Sequence, residues 1–128
     1  MAEAELRDRI NERWMRRGVT MWDPERTYVD ASVTLEPDVV LLPGVVLQGE
    51  CRVAAGAEIG PDCHLVDTIV GEGAQVTKTT AVRADIGHHA RVGPFVSLDP
   101  GAEVAPGSPV EPFTRLGPVG VGGPDTVD

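Results

Sequence analysis

The sequence predicts an all-β solenoid, a parallel β-helix of about five coils behind an N-terminal α-helix. Three observations carry that expectation. An aliphatic residue returns at six-residue intervals from Val29 through Leu35, Leu41, Leu47, Val53, Ile59 and Leu65, then continues through Val70, Val76, Val82, Ile86, Val92, Leu98, Val104 and Val110 to Leu116. Four positions after most of these stands a small or medium residue, among them Val39, Val45, Cys51, Ala57, Cys63, Thr80, Ala90 and Ala102. Turn formers such as LPG, GPD, GEG, DPG and APG fill the intervals.

In a strand, residues two apart point the same way, so the small residue and the next aliphatic share one interior while the residue between them faces out. Turn residues then bend the chain by about a third of a circle, and three such units make a coil of about 18 residues stacked about 4.8 Å from the next. The rhythm shortens twice, with five residues from Leu65 to Val70 and four from Val82 to Ile86.

Taken in order, residues 1–18 form the helix, with Leu6, Ile10 and Trp14 at i, i+4 and i+8 among charges and Gly18 as the C-terminal cap. So short a helix needs a surface for that stripe, on the body of the protein or on a neighbouring chain. Residues 19–28 form a connector, 29–117 the β-helix and 118–128 a flexible Gly-rich, acidic tail. One outward face carries Tyr28, Val46, His64, Ala81, Ser97 and Arg115; a second Thr34, Arg52, Ile69, Asp85 and Glu103; a third Val40, Glu58, Gln75, Arg91 and Pro109.

Composition narrows the function. With a net charge of −9 and a pI near 4.7, the surface repels polyanions, which excludes nucleic acid and anionic membrane as main partners. No signal segment or membrane-length apolar run is present, so a cytoplasmic location is expected. No GxGxxG or GxxxxGK[ST] loop occurs, and the prolines and glycines are corner punctuation instead. Cys51 and Cys63 occupy small inward slots, where cysteine acts as a compact hydrophobe.

The hexads resemble those of the hexapeptide-repeat, left-handed β-helix family, whose members are mostly trimeric acyltransferases. Three stretches narrow the resemblance: "RDRINERWMRRGVTMWDPERTYVDASVTLEPDVVLLPGVVLQGECRV", "IGPDCHLVDTIVGEGAQV" and "IGHHARVGPFVSLDPGAEV". Over residues 6–116 the chain is similar to the linker helix and first β-helix coils of actinobacterial bifunctional N-acetylglucosamine-1-phosphate uridyltransferase/glucosamine-1-phosphate acetyltransferases. That resemblance implies a left-handed coil and a homotrimer with ligands bound in the clefts between subunits. It also implies departures. The family's substrate-phosphate arginine lies in a GPF-x-x-L-R-P-G context, which here reads GPFVSLDPG with Asp99 in its place. The following G-x-F-V-E-x-K motif aligns with EPFTRLG, which puts Gly117 at the substrate lysine. The uridyltransferase domain and the acetyl-coenzyme A coils have no counterpart in this sequence, so neither parental activity and no cofactor is expected.

Candidate site residues follow from their outward positions. His88, His89, Asp85 and Arg91 form the densest set of acid–base groups near one corner, and with Asp99 they are the candidate catalytic residues. Arg83, His64 and Arg115 are the candidate ligand-binding residues. No metal site is expected, because His64 lies on a different face and coil from His88. Arg13, Arg16 and Arg17 counter the acidic body and help dock the helix.

The resulting expectation is a trimeric hexapeptide-repeat protein acting as a ligand-binding or scaffold module, with a small molecule in the intersubunit cleft. Two alternatives stand beside it: an enzyme with a new active site in that cleft, and a regulatory partner of a full-length relative.

Overall fold

The computed structural model describes residues 2–118, and the predicted tail lies outside them except for Pro118. Helix α1 (Glu3–Arg16) leads into a parallel β-solenoid of about five turns. Its strands form three sheets, and each strand pairs with the one three places later. Sheet A stacks β1 (Thr20–Met21), β4 (Val40–Leu41), β7 (Glu58–Ile59), β10 (Gln75–Val76), β13 (Arg91–Val92) and β16 (Pro109–Val110). Sheet B stacks β2 (Tyr28–Val29), β5 (Val46–Gln48), β8 (His64–Val66), β11 (Thr79–Val82), β14 (Val96–Leu98) and β17 (Arg115–Leu116). Sheet C stacks β3 (Thr34–Leu35), β6 (Arg52–Val53), β9 (Ile69–Val70), β12 (Asp85–Ile86) and β15 (Glu103–Val104).

The six-residue rhythm is the interior. Leu41, Leu47, Ile59, Leu65, Val76 and Ile86 are fully buried, and the small slots Val39, Val45, Cys51, Ala57, Ala74 and Ala90 close the gaps between them. Layers of this kind repeat because parallel register places like residues over like, as in Leu47↔Leu65 and Ile59↔Val76.

One stretch departs from the expected phase. Ala81, expected to face outward, is fully buried and sits between Leu65 and Leu98 in the ladder. Thr79, not Thr80, fills the small slot, Thr80 faces outward beside His64 and Ser97, and Val82 is only half-buried. The four-residue step from Val82 to Ile86 is therefore replaced by two five-residue steps, Val76 to Ala81 and Ala81 to Ile86. The TTAV run permits either phase by composition, and the registers of the coils on both sides decide it.

Two features of the N-terminal end complete the layout. The ladder begins at β1, inside the connector, where Thr20–Met21 pairs with Val40–Leu41 before a 3-10 turn at Pro24–Arg26. The helix docks on its own solenoid: Ile10 and Trp14 are buried with Val19, Met21 and Val29, while Leu6 remains 48% exposed. The buried Asn11 amide donates to the carbonyls of Pro24 and Thr27 at 2.9 and 3.0 Å, which ties α1 to the turn below it. Arg13 and Arg17 lie over the Trp14 ring, and Arg16 pairs with Glu12 at 3.0 Å.

Corners are made by left-handed residues. Gly44, Gly56, Gly73, Gly93 and Gly107 have positive φ, but so do Asp38, Asp62, Asp67, Lys78, Arg83, His89, Phe95 and Phe113. Acidic side chains brace these corners from one coil to the next: Asp30 accepts from the Gly49 amide at 2.9 Å, Asp67 from Glu50 at 2.7 Å and Glu36 from Ala55 at 2.8 Å.

Candidate functional site

The densest predicted set lies along the C–A corner. After β12 the chain turns through Gly87, His88 and His89 into β13. The turn is fixed by backbone bonds to the coils on either side, His89 N–H to the Glu72 carbonyl and Gly107 N–H to the His88 carbonyl, both 2.8 Å. The two imidazole rings meet edge to face, centroids 5.6 Å apart. His89 also lies against Gly73 of the preceding coil, where any Cβ would collide with Nδ1.

The corner separates the other two members. Asp85 stands on sheet C between Ile69 and Glu103, whereas Arg91 stands on sheet A between Gln75 and Pro109. All four side chains are exposed.

A second group gathers where sheet B meets the B–C corner. Ser97 pairs with Arg115 in the ladder, and Asp99, two residues further, reaches back so that the Arg115 Nε–H donates to Asp99 Oδ2 at 2.9 Å. The arginine side chain is 76% exposed and the carboxylate 31%, so the pair contributes at most about 1 kcal/mol to stability. Arg83 turns the adjacent corner with φ +47°, and its carbonyl accepts from Gly101 N–H at 2.9 Å.

His64 belongs to the same face. Its Nε2 lies 2.6 Å from Gln48 Oε1, and since an amide oxygen only accepts, Nε2–H is the donor in this contact. Gln48 was not among the predicted residues. The signal was available: Gln48–His64 and Asp99–Arg115 are both sixteen residues apart, one coil less two residues, and so occupy equivalent diagonals on sheet B.

His64 on sheet B does not meet His88 or His89 at the C–A corner. Among the described residues no three His, Cys, Asp or Glu side chains are placed to hold a metal ion. The cysteines are free and buried, and burial pushes both thiols above their ordinary range, which leaves them protonated and unreactive near neutral pH.

Three surface depressions avoid these groups. One of about 400 Å³ opens on sheet C around Thr34, Arg52 and Ile69. Another of about 190 Å³ lies between Leu6, Arg7 and Tyr28, and a third of about 370 Å³ lies along the arginines of α1. None is lined by a predicted site residue. Among the described residues no helix is long and apolar enough to cross a membrane.

Comparison with known proteins places these features in context. The chain is 51% identical over 96 residues to the bifunctional protein GlmU of Micrococcus luteus, covering 75% of this chain and 19% of that protein. It is 48% identical over 103 residues to that of Streptomyces avermitilis (79% and 21%) and 40% identical over 99 residues to that of Caldanaerobacter subterraneus (77% and 22%). The chain thus spans about a fifth of the length of the curated relatives it matches. No protein-family profile matches it.

Among solved structures it aligns with the acetyltransferase domain of PglB from Neisseria gonorrhoeae at a TM-score of 0.48 and 16% identity, over 89% of this chain and 63% of that one. It aligns with a GDP-perosamine N-acetyl transferase variant from Caulobacter crescentus at a TM-score of 0.38 and 19% identity, over 96% and 66%. With its three parallel ladders, its six-residue interior rhythm and its similarity to the GlmU proteins over about three quarters of its length, the chain belongs to the hexapeptide-repeat, left-handed β-helix proteins.

Proposed function

We propose that this chain is a trimeric ligand-binding or scaffold module built from amino-sugar-phosphate acetyltransferase coils, in which the described residues no longer bind the sugar phosphate. The Asp99–Arg115 pair carries the reading. Where the resemblance implies an arginine for the substrate phosphate, this chain has a carboxylate, and the Arg115 guanidinium is already engaged by it at 2.9 Å. A phosphate approaching this edge meets a neutralised pair with an anion at its less exposed end. The proposal assigns no cofactor to the described residues.

The test is calorimetric titration of the whole chain with glucosamine 1-phosphate, together with its native mass. The expected result is a trimer with no measurable heat of binding. The Asp99→Arg, Arg115→Glu double variant, which restores the charge order of the family motif, is expected to gain binding. Sugar-phosphate binding by the unaltered chain, or acetyl transfer to that sugar from acetyl-coenzyme A, would overturn the reading.

The His88–His89 ring pair favours a second reading, an enzyme with a new active site in the intersubunit cleft. Because Asp85 and Arg91 lie on different sheets, such a site would draw its remaining groups from a neighbouring copy. Loss of a demonstrated activity in His88→Ala and His89→Ala variants that keep their native mass would support it.

A further inference from the structure

We infer that the solvent-facing side of α1, around Arg9, Arg13, Arg16 and Arg17, is a docking surface for an acidic segment of another protein. The inference goes beyond the reading above and uses none of the solenoid's outward faces.

Charge distribution is the first argument. Five of the chain's eleven lysines and arginines fall between Arg7 and Arg17. From Arg9 to Arg17 four arginines stand against one glutamate, Glu12, while the chain as a whole carries −9. Arg9, Arg13 and Arg16 recur at i, i+4 and i+7, which puts them on one face of the helix. Their side chains are exposed, and with Glu12 and Arg17 they line the depression of about 370 Å³ on α1. The helix packs through its other side, by Ile10, Asn11 and Trp14.

The second is that the acidic body does not take up this surplus. Among the described residues no arginine from Arg7 to Arg17 forms an ion pair with a solenoid carboxylate; Arg7 pairs with Asp8 and Arg16 with Glu12, both inside the helix. The other carboxylates near α1 lie elsewhere on its circumference or are engaged. Asp23 and Glu25 belong to the turn under the packed side, where Asn11 and Arg7 donate to the carbonyls of Pro24 and Glu25. Glu3 and Asp30 line the separate depression beside Tyr28, and Glu5 accepts from the Ala2 amide. Asp38 stands beyond the helix end, its amide donating to the Gly18 carbonyl at 2.9 Å. The negative end of the helix dipole accounts for basic residues in the last turn, but not for Arg9, about two turns earlier.

Preorganisation is the third. Arg13 and Arg17 lie over the Trp14 ring, their Cζ atoms 5.4 and 5.7 Å from its centroid, and Trp14 itself is buried. A cation–π contact holds a guanidinium by its flat face and leaves its N–H edge free to donate. Less side-chain freedom is then lost when a carboxylate arrives, and that carboxylate can be met by two parallel N–H donors.

Size and chemistry then select the occupant. Arg9 to Arg16 spans about 10 Å along the helix, the length of about two turns of a second helix or of about three residues of extended chain. A membrane surface would need an apolar helix face beside the cations, and Ile10 and Trp14 are buried in the solenoid. A nucleic acid would carry its phosphates past the patch onto an acidic body that repels them. A short run of aspartate or glutamate ends where the arginines end.

The experiment is fluorescence anisotropy of a labelled short peptide of alternating glutamate and glycine titrated with the full chain, with thermal unfolding of each variant as the check on folding. The unaltered chain is expected to bind it, and to bind about tenfold more weakly when sodium chloride rises from about 50 to about 200 mM. An Arg9→Glu, Arg16→Glu double variant is expected to lose about tenfold or more in affinity. The milder Arg9→Gln, Arg16→Gln pair, which adds no repulsion within the helix, should lose about threefold or more. An Arg52→Glu, Lys78→Glu double variant changes the net charge equally on the exposed solenoid surface and should bind within about twofold of the unaltered chain. No binding by the unaltered chain, or an equal loss in the solenoid variant, overturns the inference. So does tighter binding of a single-stranded oligonucleotide or of phosphatidylserine vesicles than of the peptide. A native mass that falls in the arginine variants would place another copy of this chain on the patch and overturn it too. The sugar-phosphate titration is unaffected by these outcomes, so the two readings fail separately.

Discussion

Sheets B and C enclose the same interior, yet they differ in length and in what they present outward. Four of the sheet-B strands run for three or four residues, while every sheet-C strand has two. Inside, Leu47, Leu65 and Leu98 of sheet B and Val53, Val70 and Ile86 of sheet C are all almost fully buried. Outside, sheet B carries a valine stripe between two self-contained polar pairs, and sheet C carries Arg52, Asp85 and Glu103 in the open. The repeat therefore constrains only the inward half of each strand. The outward half is free to specialise, and function is read there.

The interior half of that comparison breaks most severely at a large, central residue. Leu65→Ala removes a fully buried side chain between Leu47 and Ala81, and its expected cost is about 3–5 kcal/mol in urea unfolding. A smaller value would mean that the coils above and below collapse into the gap.

A sharper test sits at the corrected phase. Ala81→Leu forces bulk between Leu65 and Leu98 and is expected to destabilise by about 1–3 kcal/mol. Val82→Leu, on the half-buried outer side, should stay within about 0.5 kcal/mol of the unaltered chain. A reversal of those two effects would restore the phase in which Val82 points inward.

The thiols probe the same interior more gently. Because burial raises both cysteines in the folded chain, the unfolded chain ionises first. Stability should hold below the ordinary thiol range, about pH 8.5, and decline as the pH climbs above it. A Cys51→Ala, Cys63→Ala double variant should lose that part of the alkaline decline. In the native protein, Ellman's reagent should label neither thiol at neutral pH, and both after denaturation.

The outer pair should matter least to folding. Arg115→Gln is expected to cost less than about 1 kcal/mol, because the guanidinium is largely exposed. A larger loss would show that the outer half of sheet B also supports the fold.

Most of the architecture was legible because the interior imposes about one aliphatic per strand, and a run of sixteen aliphatics, all but Val82 in phase with the interior, leaves little choice of period. The phase of Thr79–Val82 was not, since two threonines, an alanine and a valine fit either side of a strand, and only cross-coil register separates them. The outward faces could be sorted from the same rhythm. What escaped was the diagonal contact, because Asp99 and Gln48 lie one step past the central outward position and meet the next coil only through the ladder. The aromatic edge was hidden for a different reason: Phe95 and Phe113 occupy corner positions, which read as punctuation until left-handed φ values and stacked rings appear together.

The three-sheet register has a consequence for how such a chain tolerates insertions and deletions. Losing one six-residue unit would keep every inward side chain inward, so the fold would survive, but each downstream strand would move to the neighbouring sheet. A unit lost between residues 99 and 115 would take Arg115 off the sheet beside Asp99, and one lost between residues 64 and 80 would take Thr80 off the sheet that holds His64. The interior counts in sixes whereas the surface counts in whole coils, and a sequence that must preserve its outer faces can change length only by a full turn.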